Sequence, residues 1–162
     1  MKTRIALVTL LTLVGATLLW AHDLFLKLDT YFLEPRATVR IPVLNGTFTE
    51  SEAPVAANRL QDISLVSPAG VSRIPASAWS TEEKRSWLSL ELGEPGTYVV
   101  GVSVRPNRIE LTGPQFNSYL EEDGILDVLA ARRQAGELDR PARERYSKHV
   151  KAIFQVGDRR TE

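Results

Sequence analysis

Between Asp23 and Leu28 apolar and polar positions alternate, with Leu24, Leu26 and Leu28 on one face and Phe25 and Lys27 on the other. A period of two predicts a strand. Thr38 to Val43 repeats the pattern, with Val39, Ile41 and Val43 opposite Thr38 and Arg40. Leu44-Asn45-Gly46-Thr47 then reads as a turn, because Asn and Gly both tolerate positive φ. Glu50 to Asn58 is small, polar and irregular and reads as a loop. Further strands are expected at Leu60 to Val66, Val71 to Ile74, Trp87 to Leu92 and Thr97 to Val104. The last is rich in β-branched residues and tyrosine. Ser67-Pro68-Ala69-Gly70 and Gly93-Glu94-Pro95-Gly96 turn the chain between them.

After Ile109-Glu110-Leu111 the period changes. Gly113-Pro114 opens a helix carrying Phe116, Tyr119 and Leu120 at i, i+3 and i+4, and Asp123-Gly124 interrupts it. Ile125 to Arg133 forms a second helix, with Arg132 and Arg133 suited to its C-terminal dipole. Gly136 ends it and Pro141 opens another element. In the final stretch both periods fit; the reading preferred is a helical turn through Ser147 and a strand from Lys148 to Val156. Short strands followed by helices predict a mainly β fold, a β-sandwich of immunoglobulin or transthyretin type. A helical segment at about residues 113–147 is expected to pack on it.

The start of the chain adds an export expectation. Lys2 and Arg4 precede an uncharged, mostly apolar run from Ile5 to Trp20, and Ala21 offers a small residue for cleavage. That is the plan of a secretory signal, residues 1–21, with a cut after Ala16 as the alternative. The run is short for a membrane span of roughly 20 residues. The domain proper is then residues 22–158, followed by a tail at 159–162, and the expected location is the periplasm.

Composition narrows the chemistry. Of 20 basic and 20 acidic residues, the leader removes Lys2 and Arg4 and no acid, leaving 18 against 20. A chain so balanced gives no reason to expect nucleic acid or an anionic membrane as partner. The absence of cysteine excludes disulfides, thiolate zinc sites and a Cys nucleophile. There is no Gly-x-Ser-x-Gly and no zinc-protease histidine pair, so no enzyme is expected.

Some segments resemble a known family. AHDLFLKLDTYFL, GTYVVGVSVRPNRIEL, FNSYLEEDGI and RERYSKHVKAIFQVGD, in that order, resemble a domain-of-unknown-function family of exported bacterial proteins. Its members are often labelled periplasmic components of cobalt or nickel transport. The FN-x-YL-x-E and ERYSK-x-x-K segments are the distinctive ones. Family members usually continue into a second β-domain, so the chain resembles the first domain alone. The resemblance implies an accessory role in nickel or cobalt uptake, with a membrane transporter or other envelope protein as partner.

Two sets of residues are candidates. Cleavage before His22 would leave a histidine with a free α-amine, a chelate suited to Cu or Ni. Asp23 and the second histidine, His149, are the companions considered for a divalent metal (Ni, Co or Cu), although Lys148 and Lys151 beside His149 disfavour a cation. The other reading leaves His22 as a chain end and His149 as a solvated side chain. The second set, Asn117, Glu121, Arg145, Tyr146 and Lys151, is expected to be structural, with Arg145 or Lys151 pairing with Glu121 or Glu122. The alternative functional reading is a metal-free interaction module that docks a partner on an exposed sheet face. An apolar patch rimmed by polar residues would favour it.

Overall fold

The computed structural model describes residues 23–160. The expected leader, residues 1–21, and His22 lie outside them. Contacts gather the described chain into a sandwich unit, residues 23–110 and 143–160, and an inserted unit, Leu111–Ala142.

The described residues form eleven strands: β1 (Asp23–Leu26), β2 (Phe32–Leu33), β3 (Thr38–Gly46), β4 (Leu60–Ser67), β5 (Gly70–Arg73), β6 (Trp79–Glu82), β7 (Arg85–Glu91), β8 (Gly96–Val104), β9 (Asn107–Leu111), β10 (Ala142–Tyr146) and β11 (His149–Val156). One sheet has the order β1-β3-β7-β6, the other β2-β11-β8-β4-β5, and β9 pairs with β10 in a two-stranded ribbon. The predicted mainly β sandwich is what forms. Alternation places Ile41, Val43, Leu88 and Leu90 of the first sheet against Ile63, Leu65, Tyr98, Val100, Val102 and Phe154 of the second, in one continuous core. Tyr98 closes the β7–β8 corner. Its hydroxyl donates to Glu94 O at 2.8 Å and accepts from Gly93 N at 3.2 Å, while its ring stacks on Phe154.

The structure departs from the sequence pattern at several points. Leu44, Asn45 and Gly46 do not turn but extend β3, pairing with Phe25, Leu24 and Asp23. The turn comes next, where Thr47 N donates to Glu50 O. Gly46 is needed because a Cβ there would lie 2.7 Å from Glu50 O. The helical turn through Ser147 is instead β10, whose Ala142, Glu144 and Tyr146 are half-buried and Arg143 and Arg145 exposed. A helical period fits Tyr146, Val150, Ile153 and Phe154, but Tyr146 lies on β10 and the other three on β11. β6 was not expected, since Trp79 is the only buried residue of its four.

The helices stop well before residue 147. The inserted unit contains α1 (Gly113–Glu122) and α2 (Leu126–Gln134). Gln115 Oε1 accepts from both Thr112 N and Thr112 Oγ1 at the start of α1. Behind α2, Arg132 donates to Glu137 O and Arg140 O at 2.7 Å each and to Asn117 Oδ1 at 3.2 Å, and its guanidinium lies over the Phe116 ring.

Candidate functional site

The outer face of the five-stranded sheet carries an uninterrupted aliphatic row. Ile153 on β11 pairs with Val99 on β8, Val99 with Val66 on β4, and Val66 with Val71 on β5. Directly paired residues point to the same side of a sheet, so these four side chains form one line perpendicular to the strands. Their inward neighbours, Phe154, Val100 and Leu65, are buried, whereas Ile153, Val66 and Val71 are 55%, 42% and 71% exposed.

The flanks differ. On one side lies the row Lys151, Gly101, Ser64 and Arg73, followed by His149, Ser103 and Asp62. Arg73 is ion-paired with Asp62, whereas Lys151 on the same flank is in no ion pair among the described residues. With glycine and serines in its centre, this flank is low and the aliphatic row stands above it. On the other side Gln155 pairs with Thr97 and with Phe32 of the edge strand β2, and Phe32 is 76% exposed.

The other sheet's outer face is different in kind. Its aromatic residues carry the chain's own cations: the Arg40 guanidinium sits 4.2 Å from the Trp87 ring centroid and also pairs with Glu82, and Lys27 lies over Phe48, which packs on Phe25 and stays 51% exposed.

The residues singled out from the sequence are distributed as follows. His149 is on the outer face of β11, with Nδ1 2.9 Å from Ser103 Oγ and Nε2 3.0 Å from Ser147 Oγ. Both ring nitrogens therefore have hydroxyl partners. Asp23 acts on Lys148, on the opposite side of β11 from His149. No group of three or more histidine and acidic side chains that could hold a metal occurs among the described residues. Lys151 belongs to the cationic flank. Arg145 and Tyr146 are on the ribbon, whose ion pair is Arg143–Glu110 at 3.0 Å. Asn117 works inside the insertion, donating to Leu138 O at 2.8 Å, and Glu121 is exposed on α1.

Lys148 was not singled out, yet it is half-buried, with Nζ 3.3 Å from Asn45 Oδ1. Its parity could have been read: Lys148, Val150, Ala152, Phe154 and Val156 share one side of the strand that the sequence predicts. Burial lowers its pKa from 10.5, and the Asp23 carboxylate opposes that shift only in part. The folded protein thus holds this proton less tightly than the unfolded chain. Stability conferred by this site rises with pH through the window between the lowered value and 10.5. Thermal melts of wild type and Lys148→Met from neutral to alkaline pH check this. Wild type should gain on the variant through that window, and parallel curves would contradict the assignment. Arg59, Arg105 and Tyr146, which line the same cavity, remain in both proteins and cancel in the comparison.

No family model, no curated protein and no solved structure matches the chain.

Proposed function

We propose that the protein is an exported, non-enzymatic binding module that docks another protein of the cell envelope on the outer face of its five-stranded sheet. The observation that carries the reading is the row Ile153, Val99, Val66 and Val71, exposed except at the half-buried Val99 and extended towards the edge by Phe32. Isolated apolar residues on a surface are ordinary, but a line of them in register across four strands is not. Lys151 and Arg73 border the row against a single acid, Asp62. The partner surface that fits is an apolar stripe bordered by carboxylates. The family resemblance supports a membrane transporter as that partner, and the leader-like residues 1–21 support the location. No helix among the described residues is long and apolar enough to cross a membrane.

Metal delivery is the weaker alternative, because His149 is already hydrogen-bonded at both nitrogens. The test separates docking from folding. In Val66→Asp/Ile153→Asp both new carboxylates lie on exposed positions, so the melting temperature should stay near that of wild type. Co-purification of the envelope partner from cells should be lost in this variant. Recovery of the same partner at wild-type level would remove the reading.

A further inference from the structure

A cavity of about 310 Å³ opens at one end of the sandwich, distinct from the docking face. Its apolar wall is Leu24, Val55 and Val104, and its polar lining includes Arg59, Arg105 and Lys148. Three features make it a built site. The wall is fixed, because Val55 N donates to the buried Ser86 Oγ at 2.8 Å and Val55 O accepts from Trp79 Nε1 at 2.8 Å. The cations are held in place, Arg59 donating to Arg105 O and Arg105 Nε to Leu60 O. Donors remain unused: Lys148 has one acceptor in Asn45, and Tyr146 Oη accepts from Asn107 Nδ2 at 3.4 Å, leaving its own O–H to donate.

Charge decides the class of ligand. No carboxylate lines the cavity, Asp23 outside the lining offsets the Lys148 charge only in part, and none of Arg59, Arg105 and Lys148 is in an ion pair among the described residues. Burying Lys148 in its charged form costs stability, a cost that an anion in the cavity offsets. The aliphatic wall has no role in holding an inorganic ion, but it suits a short hydrocarbon body attached to the anionic group.

We propose that this cavity binds a small organic carboxylate, its two oxygens taken by Lys148 Nζ and the Tyr146 hydroxyl, its charge balanced by Arg59 and Arg105, and its hydrocarbon part laid against Leu24, Val55 and Val104. The full chain, titrated with butyrate and benzoate and followed by amide NMR shifts, tests this, with benzamide and inorganic phosphate as comparison probes. Saturable shifts at residues 45, 55, 105, 107, 146 and 148 are expected with a carboxylate and not with benzamide. Lys148→Met should weaken binding at least about tenfold, the effect of one lost charge-assisted hydrogen bond, and Arg59→Gln by a smaller factor, because Arg59 supplies charge alone. Absence of saturable shifts, equal shifts with benzamide or phosphate, or unchanged binding in both folded variants would overturn the proposal.

Discussion

Replacing Leu88 with alanine is expected to destabilise the sandwich by about 3–5 kcal/mol, the upper part of the range for a large-to-small change in a rigid core. Leu88 is 0% exposed and sits mid-strand on β7, paired with Ile41 on one side and Trp79 on the other. The space it would vacate is hard to refill. Ile41 is itself fully buried, and Trp79 is held by its Nε1 hydrogen bond to Val55 O. A loss of this size is a large share of the 5–15 kcal/mol typical of a whole domain. Denaturant unfolding measures it, with Ser89→Ala as the control. Ser89 neighbours Leu88 but faces outwards and is exposed, so its change should stay within about 0.5 kcal/mol. Equal effects at the two positions would contradict the inward assignment of Leu88.

The second large effect falls on the insertion. A Cβ on Gly113 would lie 2.4 Å from both Leu138 O and Asp139 C, inside any tolerable contact. Backbone cannot move aside here as the end of a long side chain could. Asn117 grips Leu138 O, and Arg132 grips Glu137 O and Arg140 O on either side. Gly113→Ala must therefore break this knot or lift the start of α1 from it, at a cost of about 3 kcal/mol, the upper end for overpacking. Hydrogen exchange locates the damage: amide protection in α1 and in residues 136–140 should fall while β8 stays protected. Unchanged protection of α1 would show that the close approach is not maintained.

Legibility from the sequence followed the strength of each periodic signal. Strands with one apolar and one polar face, such as β1, β4 and β7, were readable because alternation is decided by the core they share. Asn45-Gly46 misled because the glycine has a different task there, clearing the way for the Glu50 carbonyl. The β10 strand misled because Tyr146 and Val150 match a helical spacing by chance across a strand break.

The candidate sites were less legible for a related reason. Periodicity reports which side chains face inwards, while the docking row is made by register between strands distant in sequence. Thr97 to Val104 did carry a clue, since Val99 adds an aliphatic residue to the side opposite Tyr98, Val100 and Val102. Its alignment with Val66, Val71 and Ile153 is set by pairing, which no local pattern encodes. The cavity cations come from three separate segments, and only Lys148 lies at a core parity that makes a charge conspicuous.

The most direct test of the docking face is site-specific photo-crosslinking in cells. A photoreactive residue is placed in turn at Val71, Ile153 and Phe32 on the proposed face, and at Ser89 on the other sheet. One envelope partner should crosslink from the first three positions and not from Ser89, with the adduct lost on Lys151→Glu and restored by reversing an acidic residue bordering the partner's stripe. Adducts from Ser89 alone, or a homodimer as the sole product from the proposed face, would contradict it.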